Sequence, residues 1–134
     1  MTTVCAVPLL DMVRYPQFLI ARLWTDEYGD PEVAEELAWL LAYSPYHHVV
    51  EGTCYPAVLL TTAEGDSRVA PLHARKMAAA LQHASSCPTE HPILPHQEAR
   101  AGHGQGKPLD RQAEELADVL SFFTWQLSNG EPGA

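Results

Sequence analysis

Short apolar runs alternate with amphipathic stretches along this chain. The clearest run covers residues 57–62, where AVLLTT is continuously apolar or β-branched, as is typical of a strand covered on both faces. The run at 2–7 ends before Pro8 and predicts a second buried strand. A weaker run at 93–99 predicts a third strand.

Helical periodicity fills the segments between and after these runs. An irregular helical segment is predicted over 14–24, and three regular helices are predicted to begin near residues 31, 71 and 110, the last capped by Asp110. Their apolar stripes are Leu37, Leu40 and Leu41; Met77, Ala80 and Leu81; and Leu116, Leu120, Phe123 and Leu127. Strands that alternate with helices predict an α/β fold with about three parallel strands and flanking helices.

Composition narrows the class of protein. A length of 134 residues with 46% hydrophobic side chains is typical of one globular domain. Eight basic and 17 acidic residues give a net charge of −9, which disfavours binding to nucleic acid or to anionic membranes. No apolar run reaches membrane-spanning length, and the first residues do not resemble an export signal.

Three cysteines bear on the compartment and on metal binding. Cys5, Cys54 and Cys87 are an odd number without paired spacing, so we expect no disulfide framework and a reducing, cytoplasmic location. Cys87, His91 and His96 could suggest a metal site, but their spacing fits no regular site and prolines separate them. We therefore predict neither a metal nor another cofactor.

Candidate chemistry follows the second and third predicted strands. Asp66 lies in the loop 64–69, and His103 lies among three glycines in the loop 100–106. Parallel sheets gather functional side chains at the carboxyl ends of their strands. A carboxylate on one imidazole nitrogen lets the other accept a proton from a nucleophile, and an acid followed by a histidine matches the last two members of the Ser-Asp-His order of α/β-hydrolases.

These two loops allow a non-catalytic interpretation but not a phosphate-binding one. A histidine or a carboxylate in a loop of an α/β domain is often not catalytic, so spacing alone leaves the role of Asp66 and His103 open. A phosphate-binding loop is excluded, because Pro108 stands where the magnesium-binding hydroxyl is required and the glycine spacing is short.

Five longer runs extend over nearly the whole chain and carry a resemblance. They are LLDMVRYPQFLIARLWTDEYGDP (9–31), EELAWLLAYSPYHHV (35–49), YPAVLLTT (55–62), DSRVAPLHARK (66–76) and RAGHGQGKP (100–108). In this order and spacing the sequence resembles the C-terminal part of the catalytic domain of the prolyl oligopeptidase family. The resemblance implies the C-terminal portion of an α/β-hydrolase fold and hydrolysis of peptide bonds after proline.

The resemblance also implies roles for particular residues. Asp66 corresponds to the acid of the catalytic triad and His103 to its base, while His47 and His73 correspond to positions from which we expect structural hydrogen bonds. The implied substrate-binding residues are Arg68, which would hold the peptide backbone, Trp24, which would stack on the proline ring, and Tyr28, Val69 and Leu9 around it. Without the resemblance, Trp24 and Tyr28 would be interpreted as ordinary aromatic residues of the core, and Arg68 as a charged residue on the surface.

The sequence also departs from the family pattern. Glu64, Gly65 and Ser67 replace polar residues usual around the triad acid, which makes Glu64 an alternative to Asp66. No Gly-x-Ser-x-Gly segment occurs in residues 1–134, and the resemblance places the nucleophilic serine and the β-propeller upstream. We therefore interpret 1–134 as a partial peptidase catalytic domain, without the nucleophile elbow and propeller and inactive alone.

Partners and an alternative function follow from this interpretation. The strand at 2–7 would expose an open edge, so we expect self-association or binding to a separate N-terminal half. Proline-containing peptides are the expected ligands of the complete enzyme. The alternative is a non-catalytic α/β relic or an interaction module that uses the old pocket.

Overall fold

Three strands form one parallel sheet in the described part of the chain. A computed structural model describes residues 1–99, 102 and 107–128. The strands are β1 (Thr2–Ala6), β2 (Ala57–Ala63) and β3 (Ile93–Glu98), in the order β1-β2-β3. All neighbours are parallel, so the carboxyl ends of the three strands lie at one edge. This confirms the predicted α/β architecture.

Burial differs between the central strand and the two edge strands. Every residue of β2 is buried, as its continuous apolar run predicts. The prediction that β1 is a buried strand is wrong, because β1 lies at the edge of the sheet and its residues are half-buried or exposed. Strand β3 is the other edge, which tolerates Pro95 because its missing N–H need not join a ladder there.

The helices agree with the predicted order but differ in their bounds. The α-helices are α1 (Thr25–Tyr28), α2 (Ala34–Tyr43), α3 (Leu72–Ala84) and α4 (Leu109–Ser128), and short 3₁₀ helices cover Tyr15–Gln17, Ala21–Trp24 and Pro45–His48. Helix α2 begins three residues after Pro31, because Asp30 accepts hydrogen bonds from the N–H groups of Glu32 and Val33 in a turn. Asp110 lies in the first turn of α4 and not at its cap.

Helices α3 and α4 cover opposite faces of the sheet. On one face Leu60 packs with Leu81 of α3, and on the other Leu59 packs with Phe122 of α4. A separate cluster is formed by Met12, Tyr15 and Ala21, from the segment after β1, with Leu40 of α2, and Tyr15 is completely buried in it. The chain thus has a two-sided core around β2 and a smaller core under the segment that contains Leu9.

The predicted apolar stripe of α4 is not the stripe that packs. Leu116, Leu120 and Leu127 are 55–66% exposed, whereas Val119 and Phe122 contact the sheet. The two stripes are one residue apart, which is about 100° around a helix. Helix α4 is the longest described, and within the described ranges no helix has the length and apolarity needed to cross a bilayer.

Candidate functional site

Asp66 is held in a defined position just beyond the end of β2. Its backbone N–H donates to the carbonyl of Ala63 (3.2 Å), and its Oδ1 accepts the N–H groups of Arg68 (2.8 Å) and Val69 (2.9 Å). An aspartate that accepts amide hydrogens two and three residues later closes a tight turn. The side chain is 5% exposed, so the turn presents a buried, oriented carboxylate at the carboxyl edge of the sheet.

Glu64, the alternative acid, is placed differently. Its side chain is exposed, and its backbone N–H donates to the carbonyl of Glu98 (2.9 Å) at the end of β3. This bond extends the pairing of β2 and β3 by one step beyond the strands. The geometry therefore favours Asp66 as the positioned carboxylate of this loop.

His103 and most of its loop lie outside the described residues. The described neighbour is Gly102, where a Cβ would stand 3.9 Å from the carbonyl oxygen of Gly65. Gly65 directly precedes Asp66 in the chain, so Gly102 lies close to the loop of Asp66.

A cavity of about 180 Å³ lies at the same edge of the sheet. Its walls include Val7 after β1, Thr62 at the end of β2, and Glu98 at the end of β3. Lys107 also lines it and donates to Glu98 and to Glu115 of α4. Burial alone lowers the pKa of Lys107, but the hydrogen bonds to the two glutamates outweigh it and hold the pKa above its usual value. These charges tie β3 to α4 beside the cavity.

Three of the predicted proline-pocket residues, Leu9, Trp24 and Tyr28, form a second group around Tyr15. Leu9 and Trp24 pack on the same buried cluster, and the ring of Tyr28 meets those of Tyr15 and Trp24 edge-on at 5.8 and 6.5 Å. The hydroxyl of Tyr15 donates to the carbonyl of Gly29 (2.7 Å), and burial, with lesser effects of nearby groups, raises its pKa to about 12. Tyr15 is thus the core aromatic, whereas Tyr28 stays 39% exposed.

The two groups account for every described residue of the predicted site. Asp66, Arg68 and Val69 share one turn, in which the Arg68 side chain is exposed and Val69 is half-buried. Leu9, Trp24 and Tyr28 share the Tyr15 cluster. The structure therefore brings Leu9, Trp24 and Tyr28 together, whereas the fourth predicted pocket residue, Val69, lies in the turn of Asp66.

A buried charged network, which the sequence patterns did not reveal, lies two residues after Leu9. Asp11 is 1% exposed and binds Lys76 of α3 and Arg14 through Oδ2, while its N–H donates to Nδ1 of His73 (3.2 Å). Burial alone raises the pKa of Asp11, but the hydrogen bonds from Lys76 and Arg14 outweigh it and lower the pKa below its usual value. The network ties the segment after β1 to α3.

Both histidines expected to have structural roles do make hydrogen bonds within the fold. His47 Nδ1 lies 2.8 Å from Oγ of the buried Ser44, which itself accepts the N–H of Met12. His73 accepts the N–H of Asp11, and burial lowers its pKa below the usual value. These bonds surround the segment that carries Leu9.

The prediction of no disulfide is wrong. Cys54 and Cys87 form a disulfide with a Cα–Cα distance of 5.2 Å, and Cys5 is the free cysteine. Sequence spacing did not reveal the pair, because the two cysteines are 33 residues apart. Their segments are brought together in the fold by a parallel β-bridge between Thr53 and Ser85. The cysteine count therefore no longer supports a reducing compartment, and a cytoplasmic location stays a prediction.

The residues whose types could suggest a metal site, Cys87, His91 and His96, are divided between two places in the structure. His96 of β3 lies 3.7 Å from the carboxylate of Asp118 on α4. His91 instead contacts both sulfurs of the disulfide. The three-residue combination of Cys87, His91 and His96 does not form one cluster.

Comparisons with known proteins agree with this architecture. The sequence profile of the prolyl oligopeptidase family matches residues 2–130. Prolyl endopeptidase from Elizabethkingia meningoseptica is 40% identical over 122 residues, which cover 90% of this chain and 17% of that protein. Prolyl endopeptidase from Dictyostelium discoideum is 33% identical, with 90% and 16% covered.

Solved structures show the same likeness. One from a study of two prolyl endopeptidases superposes with a TM-score of 0.87 at 45% identity and covers 95% of this chain and 18% of its own. A post-proline cleaving enzyme from Rickettsia typhi superposes at 0.83 with 31% identity and covers 97% and 18%. The chain thus spans less than a fifth of the proteins it matches. By its sequence and its parallel α/β fold, the chain belongs to the prolyl oligopeptidase family.

Proposed function

We propose that this chain is the C-terminal part of the catalytic domain of a proline-specific serine endopeptidase. It supplies the acid and the base of the triad, and polypeptide beyond these 134 residues supplies the serine and the oxyanion donors. The observation that carries the proposal is the buried, doubly hydrogen-bonded carboxylate of Asp66 at the carboxyl edge of the sheet.

The proposed chemistry follows from the placement of Asp66. One oxygen of its carboxylate is held by two backbone N–H groups, and we assign to this carboxylate the Nδ1–H of His103. This fixes the tautomer, so that Nε2 accepts the serine proton and later returns it to the leaving amine. The approach of Gly102 to Gly65 supports this assignment.

The proposed substrate is a peptide with a proline before the bond that is cut. Trp24 is half-buried and Tyr28 is exposed, both beside the cluster that Leu9 contacts, and flat aromatic rings of this kind suit a flat, rigid proline ring. Arg68 is exposed next to Asp66, where its guanidinium can donate to peptide carbonyls. Val69 adds an aliphatic wall.

Without the serine the chain forms no acyl-enzyme, so we expect it to be inactive alone. The outer edge of β1 is where we expect the rest of the domain, or a second copy of this chain, to pair. Size-exclusion chromatography tests this expectation. A sharp monomer peak with cooperative unfolding would contradict it.

A chimera tests the proposed activity. The matching C-terminal segment of the Elizabethkingia meningoseptica enzyme is replaced by this chain, and hydrolysis of a chromogenic peptide is measured after proline and after alanine. We expect cleavage after proline. Asp66→Asn should lower kcat by about 10⁴-fold, since the wrong imidazole tautomer is then favoured.

Matched variants separate the roles. Glu64→Gln removes an exposed carboxylate two residues from Asp66 and should leave kcat unchanged. Trp24→Ala should mainly raise KM for the proline substrate. A folded chimera that does not hydrolyse the peptide, or one in which Glu64→Gln is as damaging as Asp66→Asn, would reject the proposal and favour a non-catalytic module.

A further inference from the structure

The imidazole of His91 lies directly against both sulfurs of the disulfide between Cys54 and Cys87. Nδ1 of His91 is 3.4 Å from the sulfur of Cys54 and 3.4 Å from that of Cys87, and the three donor atoms lie within 4.8 Å of one another. Nδ1 is also 2.9 Å from the carbonyl of Tyr55. Because a carbonyl only accepts, Nδ1 carries a hydrogen in this arrangement, and that one hydrogen is shared between the carbonyl of Tyr55 and the two nearby sulfurs.

The two cysteines differ in exposure. Cys54 is exposed, whereas Cys87 and His91 are partly buried. The N–H of His91 donates to the carbonyl of Cys87 (3.0 Å), so one turn of backbone keeps the imidazole beside the Cys87 sulfur. A thiol from solution is therefore expected to attack Cys54. The sulfur displaced by that attack is the one of Cys87, which lies beside the imidazole of His91.

We propose that Cys54 and Cys87 form a reversible thiol–disulfide exchange site whose co-reactants are small thiols and small disulfides, with His91 as the hydrogen-bond donor to the departing sulfur. A thiolate RS⁻ attacks Cys54 Sγ, so that an RS–Sγ bond forms. The bond between the two cysteines breaks, and its electron pair stays on Cys87 Sγ. A second RS⁻ then attacks the mixed disulfide, which releases RSSR and the Cys54 thiolate.

The reverse sequence closes the pair again. A small disulfide oxidises the two thiols to the cystine and is itself reduced to two thiols, so no other oxidant is needed. A hydrogen-bond donor beside the departing Cys87 sulfur stabilises the negative charge that this sulfur takes up when the bond breaks. The exchange site is independent of the proposed peptidase function, since it lies before β2 and β3, at the edge of the sheet opposite Asp66.

The surrounding backbone allows exchange in the folded chain. The N–H of Gly52 donates to the carbonyl of Ala84 (2.8 Å), and the N–H of Ser86 donates to that of Thr53 (3.1 Å). These bonds join the same two segments without the sulfurs. Opening the disulfide therefore leaves the cysteines near one another, ready to close again.

The test uses the 134-residue chain in reduced and oxidised glutathione at defined ratios, with a chelator present and without denaturant. Samples are quenched with acid, alkylated and mapped by peptide mass, while circular dichroism follows the fold. We expect reversible opening and closing with an unchanged spectrum, and a glutathione adduct at Cys54 in Cys87→Ser. His91→Ala should slow opening about tenfold, which is the effect expected for loss of one hydrogen bond to a charged group, whereas His83→Ala, on the exposed side of α3, should not.

Three results would overturn the proposal. The first is a disulfide that opens only when the chain is unfolded by urea. The second is a reduced pair that oxidised glutathione does not close. The third is a His91→Ala variant that opens as fast as the natural chain under the same conditions.

Discussion

Replacing Asp11 by asparagine tests whether the buried charged network holds the segment that carries Leu9. The Asp11 side chain is 2% exposed and the Lys76 side chain 21% exposed, and the ammonium also lies 4.1 Å from the centre of the Tyr46 ring. Asparagine keeps an acceptor for the N–H of Arg14 but removes the charge. A hydrogen bond to a charged group contributes about 1.5–3 kcal/mol, and breaking a fully buried pair costs about 3–5 kcal/mol.

Because Lys76 can still reach solvent, the expected loss in the free energy of unfolding is about 2 kcal/mol. For a chain of this length that corresponds to a fall in Tm of roughly 7 °C. Urea unfolding followed by circular dichroism measures the loss, and Arg14→Gln is the control. The Arg14 side chain is 51% exposed, so its removal should cost less than about 1 kcal/mol.

A double-mutant cycle with Lys76→Met decides whether the pair itself is responsible. Neighbouring charges that share a network couple by about 0.5–3 kcal/mol. A coupling energy between Asp11→Asn and Lys76→Met indistinguishable from zero, or an Arg14→Gln loss as large as that of Asp11→Asn, would refute the reasoning.

Three further predictions concern stability. Burial lowers the pKa of His73 below its unfolded value of about 6.5. The unfolded chain therefore binds this proton at a higher pH than the folded chain, and the free energy of unfolding should fall as the pH drops below 6.5. His73→Asn should reduce this dependence of stability on pH, measured by urea titrations between pH 7 and 5. Leu60→Ala, at 1% exposure, should cost about 3 kcal/mol and Leu120→Ala, at 55%, less than about 1 kcal/mol; equal losses would contradict the assigned packing. Gly29→Ala should lower Tm more than Gly52→Ala. Both glycines have a positive φ (+111° and +79°), which strains alanine at either position, but only at Gly29 would a side-chain oxygen of α2 also stand 3.4 Å from the new Cβ, whereas the space at Gly52 is open.

The pattern of apolar residues along the chain was enough to predict the strands and their order with helices. The run 57–62 lacks the alternation of apolar and polar residues that a strand with one solvent-exposed face would show. This pattern is typical of a strand covered on both faces, as β2 is. The position of Asp66 just after this run was likewise a local property, because its turn closes within three residues. A turn of this kind depends only on residues that are adjacent in the sequence.

The apolar stripe of α4 shows that periodicity alone does not predict which face of a helix is buried. Leu116, Leu120, Phe123 and Leu127 have the spacing of a buried face, but periodicity does not say which side of a helix meets the sheet. Docking on Ala57 and Leu59 selected Val119 and Phe122 instead. The physical reason is that amphipathicity limits the choice of faces, whereas the shape of the partner surface decides between faces 100° apart.

Contacts between distant segments depended on the tertiary structure alone. Cys54 meets Cys87 across 33 residues, and Asp11 meets Lys76 across 65 residues, because parallel strands return the chain to the same edge of the sheet after each helix. No spacing rule encodes such meetings. The sequence by itself thus determined the elements and the turn at Asp66, while the packing of those elements decided which cysteines, charges and apolar faces came into contact.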